Sequence, residues 1–139
     1  MKTGTSFQVN ETAKNVLDYR FPREERLKGR EEIRKVFSER KSVTCPGARL
    51  FSLRNGLPFN RIVFAFPRKF GNAVKRNRSR RVSREAYRFL RKELHQGHDL
   101  VLLVYPGSGR DVLSGRMNQL KELFLMAGLL KSKLNGKNA

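Results

Sequence analysis

The chain has 139 residues, with 31 Lys and Arg against 12 Asp and Glu, a net charge of +19 and one cysteine. That length suits one domain, and 10 Phe within a 38% hydrophobic fraction are enough for one small core. The lone Cys45 excludes an internal disulfide and a cysteine metal set, and no apolar run is long enough for a membrane span. The polar first fifteen residues lack the apolar stretch of a secretory signal, so a cytoplasmic location is expected. Self-repulsion at +19 opposes compaction, which points to a polyanionic partner without saying which polyanion.

Residues 1–25 are polar and without periodicity, and are expected to form a flexible extension. The domain is expected over 26–131, followed by a basic tail over 132–139. Leu27, Ile33, Val36 and Phe37 have partial helical spacing, and the stretch GREEIRKVFSER is rich in helix formers. SVTCPG reads as a short strand ended by Pro46-Gly47, and residues 48–54 as a second strand. Asn55-Gly56 is a hairpin signal.

Residues 61–66 (RIVFAF) are the clearest strand, with Ile62, Phe64 and Phe66 on one face and Val63 and Ala65 on the other. The face with the smaller residues leaves room for something to lie against the sheet. Asn72 is a candidate N-cap for a long helix running to about residue 94. A buried strand over 100–105 and a last helix over 114–130 complete an α-β-β-β-α-β-α order. This is an α+β sandwich, a small sheet covered by helices.

The charge is concentrated in residues 68–92, where eight Arg and three Lys face Glu85 alone. It is also sided. At about 100° per residue, Val82, Ala86, Phe89 and Leu90 form an apolar stripe, and Asn77, Arg80, Arg81, Arg84, Arg88 and Arg91 lie opposite. Such a helix docks its stripe on the sheet and presents arginines outward. Like charges at i,i+4 cost a few tenths of a kcal/mol per pair. A nucleic-acid backbone reverses that cost, because guanidinium groups grip phosphates bidentately and displace counterions. Base-reading DNA helices favour amides and short side chains at regular positions, so this arginine-dominated face suits recognition of a structured RNA backbone.

From Arg68 to Glu85 the sequence RKFGNAVKRNRSRRVSRE resembles the bacterial ribonuclease P protein family. The matching features are a basic pair (Arg68-Lys69), the turn Gly71-Asn72-Ala73-Val74, the triplet Arg76-Asn77-Arg78, and the spaced basics Arg80-Arg81 and Arg84. The likeness extends over residues 26–131. It implies a left-handed crossover around the arginine helix, which periodicity alone does not show. It also implies a ribonucleoprotein endonuclease that removes the 5′ leader of precursor tRNA.

In that scheme the partners are the catalytic RNA and the precursor tRNA, with no obligate protein partner. The RNA carries the chemistry and binds most of the Mg²⁺; this chain has no cofactor of its own and no catalytic residue. The RNA-binding positions would be Arg68, Lys69, Asn72, Lys75, Arg76, Asn77, Arg78, Arg80, Arg81, Arg84 and Arg88. A cleft between the first helix and the sheet would hold the single-stranded leader with Ile33, Phe37, Phe51 and Ala65, and Arg68 and Lys69 would form its rim. Ile33 stands where many relatives carry Phe, and Pro67 where a small polar residue is commoner. Phe37 and Phe51 read equally well as plain core aromatics.

Other chemistry finds little support. His95 and His98 read as surface or helix-end histidines, and PGSGRD is a turn without a P-loop ending. Cys45 reads as a buried thiol. The alternative function is a structural RNA-binding module such as a ribosomal protein.

Overall fold

The computed structural model describes residues 21–39, 41–106 and 112–131. The expected extension over 1–20, the tail over 132–139 and most of the PGSGRD turn lie outside the described residues. The elements are α1 (Arg30–Ser38), β1 (Ser42–Cys45), β2 (Ala48–Arg54), β3 (Arg61–Ala65), α2 (Ala73–Leu90), β4 (His98–Val104) and α3 (Leu113–Met126). Their order is the one the sequence predicts. None of these helices is long and apolar enough to cross a membrane.

The sheet runs β1-β2-β4-β3, antiparallel except for the β3–β4 pair. A two-residue Pro46-Gly47 turn closes β1 on β2, with Gly47 at φ 86°. The hairpin expected at Asn55-Gly56 does not form, because β4 occupies the whole free edge of β2, from Ala48 opposite Val104 to Arg54 opposite His98. The local signal marks a turn and cannot say which strand becomes the neighbour. Asn55 instead organises a longer connection. Its Oδ1 accepts from Leu57 N at 2.7 Å, and its Nδ2 donates to Asp99 Oδ1 at 2.9 Å.

Alternation along β3 divides the core as expected. Ile62 and Phe64 face a large apolar layer under α2 and α3, while Val63 and Ala65 face a smaller one under α1. The inner strand β4 serves both layers. Leu100, Leu102 and Val104 enter the first, and Val101 and Leu103 the second, so its sequence is a nearly continuous apolar run.

Three boundaries differ from expectation. Phe21 is buried against Phe64 and Tyr87, so the packed unit begins before residue 26. The arginine helix ends at Leu90 and tightens into a 3₁₀ turn, Arg91–Glu93. The last helix stops at Met126, because Gly128 at φ 74° closes it with Leu129 N bonded back to Phe124 O at 2.9 Å.

Candidate nucleic-acid interface

The outer face of α2 is built from its first turn upward. Pro67 to Phe70 form a tight turn, with Phe70 N bonded to Pro67 O at 2.9 Å, and the Phe70 ring packs edge-on to Phe66. This turn leaves Arg68 and Lys69 exposed just beyond the end of β3. Gly71 follows at φ 150°, where a Cβ would come within 3.1 Å of the Lys75 side chain. Asn72 then caps the helix as expected, its Oδ1 accepting from Lys75 N at 2.9 Å.

The triplet Arg76-Asn77-Arg78 divides its work. Arg76 is half-buried and donates back to Gly71 O at 3.0 Å, which stiffens the entry turn. Asn77 Oδ1 accepts from Arg80 at 3.2 Å, and the Arg80 guanidinium lies 5.1 Å from the Phe66 ring centroid. Only Arg78 of the three points freely outward, with Lys75, Arg81 and Arg84 also exposed. Arg88 is half-buried and bridges Glu85 at 2.6 Å. Partial burial, then the charges of Arg26 and Arg80, lower the Arg84 pKa, so this face holds crowded like charge.

The face turned toward the protein differs from the predicted stripe. Ser79, Ser83, Ala86, Tyr87 and Leu90 are buried, whereas Val82 and Phe89 are only half-buried. The cause is α3, which sends Arg116, 0% exposed, to the hydroxyls of Ser79 and Ser83. Arg91, assigned by spacing to the outer row, instead reaches Glu25 in a bidentate pair (Nε–Oε1 2.9 Å, Nη2–Oε2 2.6 Å), with both side chains largely buried. A polar stripe in one helix does not reveal a buried arginine in another, so Arg116 left no sequence signal.

The second surface lies between α1 and the sheet. Ile33, Phe37, Phe51 and Ala65 do meet there, in one cluster with Leu27, Val36 and Val101. Their exposure is unequal. Phe51 is 9% exposed, its ring engaged edge-on by Phe37 (centroids 4.7 Å) and approached by the Arg49 guanidinium at 5.8 Å. Phe51 is therefore mainly a core aromatic, while Phe37, Ile33 and Ala65 stay half-exposed. Arg49 was missed, although alternation along β2 puts it on the same face as Phe51.

Several of the described carboxylates are committed to arginine. Glu25 pairs with Arg91, Glu31 with Arg34, Glu85 with Arg88, and Asp99 with Arg61 at 2.7 Å. The Asp99 hydrogen bond outweighs burial and raises the Arg61 pKa. No group of three or more His, Cys, Asp or Glu gathers among the described residues.

These surfaces sit on a fold with known counterparts. The RNase P protein of Staphylococcus aureus superposes with a TM-score of 0.69 at 18% identity, covering 77% of this chain and 98% of that one. That of Thermotoga maritima gives 0.63 at 26% identity, covering 72% and 94%. In sequence, the ribonuclease P protein component of Dictyoglomus turgidum is 32% identical over 117 residues, covering 81% of this chain and 97% of that protein. That of Alkaliphilus oremlandii is 31% identical over 105 residues, covering 73% and 92%. A family model described as Ribonuclease P matches residues 21–128, nearly the whole packed unit that begins at Phe21, and the chain belongs to that family.

Proposed function

We propose that this chain is the protein subunit of a ribonuclease P, working in the cytoplasm with a catalytic RNA to remove the 5′ leader of precursor tRNA. The observation that carries this reading is the division of α2. Its inward side is fixed by Arg116, Tyr87 and Leu90, and its outward side presents Lys75, Arg78, Arg81 and Arg84 with little counter-charge. A rigid row of cations is suited to a folded phosphate backbone, because its geometry is set before binding.

In this reading the α2 face binds the catalytic RNA. The half-exposed surface of Phe37, Ile33 and Ala65, with Arg68 and Lys69 at the end of β3, holds the single-stranded leader. Precursor then binds better than mature tRNA, since only precursor has a leader. The chain also screens repulsion between two RNAs. Mg²⁺ would supply charge neutralisation and water activation on the RNA, consistent with the arginine-paired carboxylates here.

The test is reconstitution. The purified chain, added to a ribonuclease P RNA and a 5′-labelled precursor tRNA at low Mg²⁺, should restore leader cleavage. RNA binding without cleavage support would favour the structural RNA-binding alternative.

A further inference from the structure

A second concentration of positive charge lies at the opposite end of the sheet from Gly71 and belongs to neither surface described above. Lys41 leads into β1, Arg54 ends β2 and His98 opens β4. The sheet register brings them together. Arg54 pairs with His98 across β2 and β4, and Lys41 O accepts from Ser52 N at 3.2 Å. All three lie on the α3 side of the sheet, by alternation with Val43, Leu50 and Leu100. They border an open pocket whose walls include Ser52, Leu53 and Met126.

Among the described residues, no carboxylate lines this pocket. The nearest acid in sequence, Asp99, is held on the other face of the sheet by Arg61 and Asn55. The end of α3 contributes Met126, Ala127 and Leu129, none of which titrates. His98 Nδ1 is buried, and a hydrogen bond to the His95 backbone only partly offsets that burial. Lys41 and Arg54 border this hollow and repel each other, and a bound anion removes that repulsion. The apolar wall beside them suits a phosphate carrying a sugar and base better than a bare ion.

We propose that this pocket binds a phosphate of a single-stranded RNA segment, a third RNA contact separate from the arginine face and from the α1 surface. The proposal rests on reading the chain as an RNA-binding protein, but not on which RNA it serves. Burial, then the charges of Arg54, His95 and Lys41, lower the His98 pKa, so near neutral pH the imidazole is mainly uncharged. A phosphate beside it favours the imidazolium. Binding there therefore takes up a proton and strengthens as pH falls through the histidine range.

The experiment is an NMR titration of the His98 ring protons in the full chain, alone, with inorganic phosphate, and with a short single-stranded oligoribonucleotide. The oligonucleotide should raise the His98 pKa, and its affinity should increase several-fold between about pH 7.5 and about pH 6. His98→Gln should abolish that part of the pH dependence. Lys41→Ser with Arg54→Ser should lower the salt-dependence slope by about 2, with circular dichroism confirming the fold.

A His98 pKa unmoved by the oligonucleotide overturns the proposal. A response to inorganic phosphate but not to RNA overturns the RNA assignment and leaves a free-anion site. Failure of the chain to support leader cleavage, with the His98 response intact, would count against the proposed function and not against this site.

Discussion

The two surfaces turned toward RNA in the proposed function are built on opposite plans. On α2 the charged side chains stand outside a fixed support, and what holds them lies beneath: Arg116 on Ser79 and Ser83, Tyr87 among Phe21, Phe64 and Phe124, and Arg76 on Gly71 O. On the α1 side the candidate contact residues are part of the core they would contact from. Phe51 is buried by Phe37, which itself is half-exposed. The first plan allows a binding residue to be removed without disturbing the fold, and the second does not. Substitutions should therefore separate binding from stability on α2 and confound them under α1.

The largest expected effect tests whether an arginine near the end of the basic stretch is support or contact. Arg91→Ala leaves Glu25 buried without its bidentate partner, and should cost about 3–5 kcal/mol in denaturant unfolding. A cost near zero, with RNA affinity reduced, would return Arg91 to the outer row. Next comes the triple change Arg78, Arg81 and Arg84 to Ala. These side chains are exposed, so stability should move by no more than about 0.5 kcal/mol per site. Affinity for the catalytic RNA should fall about a hundredfold, with the salt slope reduced by about 2–3. Equal loss of stability and affinity would erase the contrast between the faces.

A smaller effect sharpens the α1 side. Phe37→Ala should reduce the preference for leader-bearing over leaderless tRNA about tenfold, as loss of one stacking platform costs about 1–3 kcal/mol. Phe51→Ala should mainly destabilise, by about 3 kcal/mol, because its ring is in the core. Binding of both tRNAs measured at equal folded fraction distinguishes the two outcomes.

The sequence was most legible where local pattern and tertiary environment agreed. Element order, the Asn72 cap and the two faces of β3 follow from spacing and composition that the packing does not override. Strand order was not legible, because Asn55-Gly56 encodes a turn, while the place beside β2 goes to β4, which comes only after β3 and α2. The inward stripe of α2 was half legible. Ala86 and Leu90 are buried as read, but two serines take the positions near Val82, since an arginine from α3 needs their hydroxyls. Arg91 shows the same limit from the other side. Its partner, Glu25, sits 66 residues away in a segment that composition had assigned to a flexible extension.

The smallest expected effect concerns neither face and isolates the end of the sheet. Burial, assisted by Arg54, His95 and Lys41, puts the folded-state pKa of His98 below the ordinary 6.5. Between 6.5 and that lower value the unfolded chain binds more protons than the folded one at this site, so stability falls as pH drops through the window. Above 6.5 both states are largely neutral and the contribution is constant. Urea unfolding of the free chain should therefore show a shallow acid-side loss beginning near pH 6.5, absent in His98→Gln. The same measurement with Arg78, Arg81 and Arg84 replaced by Ala should keep the slope. If the slope instead disappears with those arginines, the acid sensitivity comes from charge on α2, and the end of the sheet is not electrostatically independent of the arginine face.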